Sequence, residues 1–275
     1  MKTSRAYKFV SLAIAAGLLT SAFIGCTGKS DKKQGAEVEE TIKQEIEEYA
    51  YPLPSAFEVT NMLNEIEASY IVGIANKPEK VSGYLSEFGK AVNLGIYTAD
   101  LAYATTYNQK SDIQDYFKAS ETLVRELDFT SAFEKNLPEQ IDANIDNKEA
   151  LVGIVTDMFQ RAYSYLNQQG RTELSYLVLS GTVIEGLYLT TNISENTFQN
   201  PKLIEAILFQ KEPLTDLENM LANHAESDLL KDVYLDIKQI NAIYALEEGT
   251  SSMTETQVKA LSETVAKIRE SYVQQ

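Results

Sequence analysis

The chain has 275 residues, with 40 Asp and Glu against 24 Lys and Arg, a formal charge of −16, one His, one Cys and no Trp. A lone Cys excludes an internal disulfide, and so few Cys and His leave no donor set for a Cys/His zinc site. The acidic balance disfavours nucleic acid, whose phosphates are met by clustered Lys and Arg, while 44% hydrophobic residues are too many for a disordered acidic chain.

Residues 1–25 read as a secretory signal peptide: Lys2, Arg5 and Lys8 precede an apolar run from Phe9 to Ile24. Gly25 then meets the chain's only cysteine, Cys26, in a context resembling a bacterial lipobox, although Phe23 and Ile24 stand where Leu and a small residue are usual. The expectation is a lipid-modified Cys26 at the mature N-terminus. Residues 26–40 are polar and Gly-containing and suit a lipidated flexible tether. Removal of residues 1–25 leaves a charge of −19. So acidic a body repels anionic headgroups, so membrane contact is expected through the lipid alone. Lys29, Lys32 and Lys33 around Asp31 weaken a surface-display signal and favour an outer-membrane anchor facing the periplasm.

Residues 41–275 read as one helical domain. Ser55 with Glu58, Ser131 with Glu134, Asp146 with Glu149, and Thr254 with Gln257 have capping-box spacing. Asn200-Pro201 is an N-cap followed by proline at the first helical position. Gly89, Gly170 and Gly249 stand where helices would stop. Apolar stripes at helical spacing run through Phe57, Met62, Ile66 and Tyr70, through Val233, Ile237, Ile240 and Tyr244, and through Val258, Leu261, Val265 and Ile268. No alternating run bounded by hairpin turns stands out. Glu45, Glu47 and Glu48 read as a solvated helix face. The fold expected is all-α, a multi-helix bundle of about ten helices.

Ala91–Tyr107 and Leu174–Leu189 are apolar nearly all round, as on buried helices. Each is too short to span a bilayer and carries an acid. The two also resemble each other. Tyr84–Lys90 aligns with Tyr165–Arg171, and Asp100–Thr106 with Glu185–Thr191, at offsets of 81 and 85 residues that differ by about one helical turn. An internal duplication with a pseudo-twofold axis is therefore expected.

The two embedded acids are the sharpest chemical feature, because a buried carboxylate is costly unless paired or hydrogen-bonded. Asn93, Tyr97, Asp100 and Tyr107 share one helical face, and Ser175, Thr182, Glu185 and Asn192 share another. Together they could line a polar ligand groove. They could equally be structural, with Asp100 bonded to a Tyr hydroxyl, or Asp100 and Glu185 could act as the acid/base pair of a glycoside hydrolase. The lack of Trp removes the usual sugar-stacking surface. Fifteen of the 16 Tyr lie beyond the signal segment and suit either packing or a groove. His224 reads as a capping or solvent-facing residue near a helix end. One His excludes a histidine triad or an intrachain His-Glu-x-x-His site. Ser30-x-x-Lys33 lies in the tether, no phosphate-cradling Gly loop or calcium loop occurs, and nothing asks for a cofactor or a metal.

Tyr51–Val59 and Asn93–Ala104 resemble stretches of uncharacterised all-helical lipoproteins of Bacteroidota. The resemblance implies an envelope location and an all-α body, and carries over no catalytic residue. The function expected is a lipid-anchored envelope protein with a non-catalytic binding or scaffolding role in the periplasm. Its partner would be another envelope protein or a small polar ligand. The alternative is the Asp100/Glu185 hydrolase.

Overall fold

The computed structural model describes residues 56–194, 197–245 and 252–275, all within a unit spanning Lys43–Gln275. The signal segment, Cys26, the tether, Ser55 and Gly249 lie outside the described residues. Ten α-helices and no strand occur among those described: α1 Ala56–Glu65, α2 Glu87–Thr106, α3 Lys110–Glu126, α4 Leu137–Ala143, α5 Lys148–Gln168, α6 Thr172–Asn192, α7 Pro201–Phe209, α8 Lys211–Ala222, α9 Lys231–Ile243 and α10 Glu255–Val273. None of them is long and apolar enough to cross a membrane.

The two helices read as buried are the axis of the molecule. α2 and α6 make the most extensive helix pairing in the fold, and the other helices pack around them. Their composition permits an unusually close crossing. A Cβ on Gly95 would lie 1.9 Å from the Val178 carbonyl oxygen, and one on Gly181 would lie 2.0 Å from that of Val92. Each glycine thus faces the carbonyl three residues before the other, so the crossing is reciprocal. The Thr182 hydroxyl donates across it to the Gly95 carbonyl at 3.2 Å. The reciprocity stops at the crossing: a strap whose one regular element is the short 3-10 helix Pro78–Gly83 precedes α2, whereas the 21-residue α5 precedes α6.

The outer helices bury the stripes that their sequences carry. Val233, Ile237, Ile240 and Tyr244 of the α9 stripe are fully enclosed, as are Leu261 and Val265 of α10. Thr254 and Gln257 form the expected reciprocal capping box on α10, and Asn200 caps α7 through Lys202 N–H. Other signals are displaced. The Ser131 hydroxyl bonds Tyr165 instead of a helix start, and α4 begins at Leu137. Asn147, not Asp146, caps α5 by accepting from Ala150 N–H. Gly89 lies inside α2, whose cap is Ser86. α1 stops at Glu65, which leaves Ile66 and Tyr70 beyond it.

Four helix ends share one closure. Glu67, Asn108, Asp128 and Gly170 adopt positive φ, and the next residue's N–H bonds back five positions: Ala68 to Leu63, Gln109 to Ala104, Phe129 to Val124 and Arg171 to Leu166. This is the Schellman ending, which satisfies carbonyls left free by the last turn. Only one of the four uses the glycine that the rule favours.

Candidate functional site

The polar stripe of α2 meets the chain's own backbone. Residues 66–86, between α1 and α2, cross this face as a strap with little helix of its own. Backbone polar groups in a buried strap need partners, and the stripe supplies them. Ile71 N–H donates to the Tyr103 hydroxyl at 2.9 Å. Asn76 N–H donates to Asp100 Oδ2 at 3.1 Å. The Tyr97 hydroxyl donates to the Lys77 carbonyl at 2.9 Å. The Asn76 side chain donates to the Tyr84 hydroxyl and to Asn93 Oδ1. Asn93 in turn donates to the Tyr272 carbonyl of α10 at 2.8 Å. Asn93, Tyr97 and Asp100 therefore line a groove that the protein fills itself.

Asp100 and Glu185 do come together, and both are 0% exposed. Arg269 of α10 joins them. Its Nε and Nη2 donate to the two Glu185 oxygens at 2.5 and 2.8 Å, the paired geometry that suits a planar guanidinium. The guanidinium also lies 4.1 Å from the Tyr188 ring centre, a cation–π contact, with the Ile74 carbonyl 3.5 Å from Nη2. Burial works against the Arg269 charge, but the Glu185 carboxylate outweighs it and raises its pKa.

Asp100 accepts from Asn76 N–H through Oδ2, and its buried Oδ1 has no hydrogen-bond partner. A buried carboxylate oxygen without a donor is costly, and a protonated carboxyl is less so. Burial, and then the negative charge of Glu185, push Asp100 well above the usual carboxylate range, against the pull of Arg269. The unpartnered oxygen and the raised pKa both favour a proton on Asp100. The cluster is then a carboxylic acid, a carboxylate and a guanidinium, neutral overall and closed to water.

The remaining candidates lie elsewhere. Tyr107 packs edge-on against Tyr103 and tilted against Tyr70, at centroid distances of 5.0 and 5.7 Å. Asn192 donates to the Tyr188 carbonyl at 2.9 Å, and the Ser175 hydroxyl donates to the Thr172 carbonyl; both are helix-internal contacts. Thr182 belongs to the glycine crossing. His224 follows the end of α8, with Nδ1 3.7 Å from Glu173 and its ring edge on Tyr176. Among the described residues no group of three acidic, His or Cys side chains could hold a metal.

A cavity lies beside another face of α2, the one bearing Leu94, Thr98 and Leu101. It has a volume of about 590 Å³ and is walled by α2, α3, α5 and the segment 130–138, within the 300–1,000 Å³ of ordinary ligand sites. Leu94, Leu101, Phe117, Phe133, Val155 and Met158 give it an apolar wall, with Glu121, Glu134 and Lys135 as its charged members. Ser120 is also on the wall; it is 3% exposed and its hydroxyl has no hydrogen-bond partner. A second cavity of about 270 Å³ adjoins it, sharing Thr98 and Val155 and reaching Thr182. No protein-family model matches the chain, and no match is found among curated proteins or among solved structures.

Proposed function

We propose that this chain is a lipid-anchored envelope protein with a non-catalytic binding role, held through Cys26 to the outer membrane and facing the periplasm. The observation that carries the non-catalytic reading is the closure of the carboxylate pair. A general acid must lie within reach of a substrate proton. Asp100 and Glu185 are sealed behind the strap, and Glu185 is committed to Arg269. This supports a structural role for the pair over the hydrolase alternative. Binding is assigned instead to the apolar cavity beside α2, so the ligand expected changes from polar to apolar.

The anchor rests on the sequence: a basic and apolar leader ending at Gly25-Cys26, followed by a polar tether. Metabolic labelling with an alkyne-tagged palmitate, followed by membrane fractionation, tests it. The label should reside on the wild-type chain in the membrane fraction and vanish in Cys26→Ala. Equal labelling of both chains, or an unlabelled wild type, contradicts the anchor.

A further inference from the structure

We propose that the 590 Å³ cavity between α2, α3, α5 and residues 130–138 binds an uncharged single-chain lipid, with Ser120 donating a hydrogen bond to an oxygen of that lipid. The inference rests on the non-catalytic binding reading and names its ligand class. Three observations carry it.

The first is size and surface. The wall is built of Leu, Val, Met and Phe side chains, with aromatic faces from Phe117 and Phe133. Such a wall favours hydrocarbon, and the space is too small for a two-chain phospholipid. The second is charge. Glu121 and Glu134 outnumber Lys135 on the wall, and the chain as a whole carries −16. A free carboxylate or phosphate head would enter against that field, so the head is uncharged. The third is Ser120. A hydroxyl that is buried and unbonded is an unmet donor, unusual in a native interior. Its oxygen is covered in the structure, so it reaches the cavity by turning about its one side-chain bond, and an alcohol, ester or amide oxygen there would accept from it.

The test uses the full chain carrying Cys26→Ala, purified without detergent, with Nile red as reporter and 1-dodecanol and dodecanoate as competitors. Nile red should bind saturably, 1-dodecanol should displace it, and dodecanoate should be at least tenfold weaker. Ala162→Phe projects a ring into the cavity and should abolish displacement while the helical circular dichroism persists. If that variant does not fold, Met158→Trp carries the same test. Ser120→Ala should weaken 1-dodecanol about fivefold, as expected for one hydrogen bond, without lowering the unfolding temperature.

Absence of saturable binding overturns the proposal, as does wild-type affinity in a folded filled-cavity variant. Dodecanoate binding as tightly as 1-dodecanol overturns the uncharged head, and an unchanged Ser120→Ala overturns the hydrogen bond. None of these results bears on acylation of Cys26, which the labelling experiment reads separately.

Discussion

Asp100, Glu185 and Arg269 show how three costly residues become tolerable together. Each alone would carry a large desolvation penalty, and a buried ion pair lacking one partner costs about 3–5 kcal/mol. Together, the guanidinium satisfies the Glu185 carboxylate, and protonation relieves Asp100 of its charge. The folded state keeps that proton to a higher pH than the unfolded chain does, where an aspartic acid titrates near ~3.9. The stability contributed by Asp100 is therefore complete below about pH 4 and is lost as pH rises toward its folded value. Asparagine mimics the protonated acid and does not titrate. Urea unfolding of Asp100→Asn should show a stability that improves relative to wild type as pH rises from about 4. A constant difference across pH would mean that Asp100 is not protonated in the fold. Replacing Glu185 and Arg269 together by Leu and Met should cost much less than breaking the pair from one side, because no charge is stranded.

The acids were legible because they interrupt apolar helices. Their partner was not singled out, although a signal existed: Arg269 stands four residues after Val265 and three before Tyr272, on the buried stripe of α10. A cation on an apolar stripe is the complement of an acid on one. Asn76 gave no such signal, because it belongs to a strap without periodicity, and only the fold brings it to Asp100.

At the scale of elements, the α2–α6 crossing depends on two missing side chains. Gly95→Ala or Gly181→Ala would push a methyl into a backbone carbonyl, which no rotamer relieves. Each should cost about 3 kcal/mol or more, at the upper end of overpacking. Gly153→Ala in α5 is the control. Its Cβ meets nothing within 4 Å, and the helix should gain about 0.5–1 kcal/mol. Thermal unfolding of the three variants checks the contrast; comparable melting temperatures would mean that the crossing is looser than described. A further gain is available at the end of α3, where Asp128 holds a φ of 59°. Asp128→Gly should raise stability by up to about 1 kcal/mol, since glycine adopts this conformation without strain.

Helix existence was readable wherever apolar periodicity was long, as on α9 and α10. Helix ends were readable where the cap was of the favoured type, as at Asn200 and Thr254. They were missed where an acid or asparagine took the left-handed place, as at Glu67, Asn108 and Asp128. Gly89 misled for the converse reason: inside α2 it packs beside Ser86 and Gln275, at 3.0 and 3.2 Å from a would-be Cβ, and ends nothing.

At the scale of the molecule, two faces of α2 beside the glycine crossing have different tasks. One is polar and bonds the strap between α1 and α2, so its hydroxyls, amide and acid complete the interior. The other is apolar and borders a cavity left between α3 and α5. Polar stripes on buried helices attract attention in a sequence, but they can be ligands for the chain's own backbone. A cavity has no comparable signature, because it arises from how helices diverge and not from any residue type. The central claim is therefore that the charges at the core hold the fold and do not serve a ligand or a reaction. Urea unfolding of Glu185→Gln tests it most directly. Leaving Arg269 buried without its carboxylate should lower stability by about 3–5 kcal/mol or prevent folding; a variant within about 0.5 kcal/mol of wild type would contradict the claim and return Glu185 to the list of candidate functional groups.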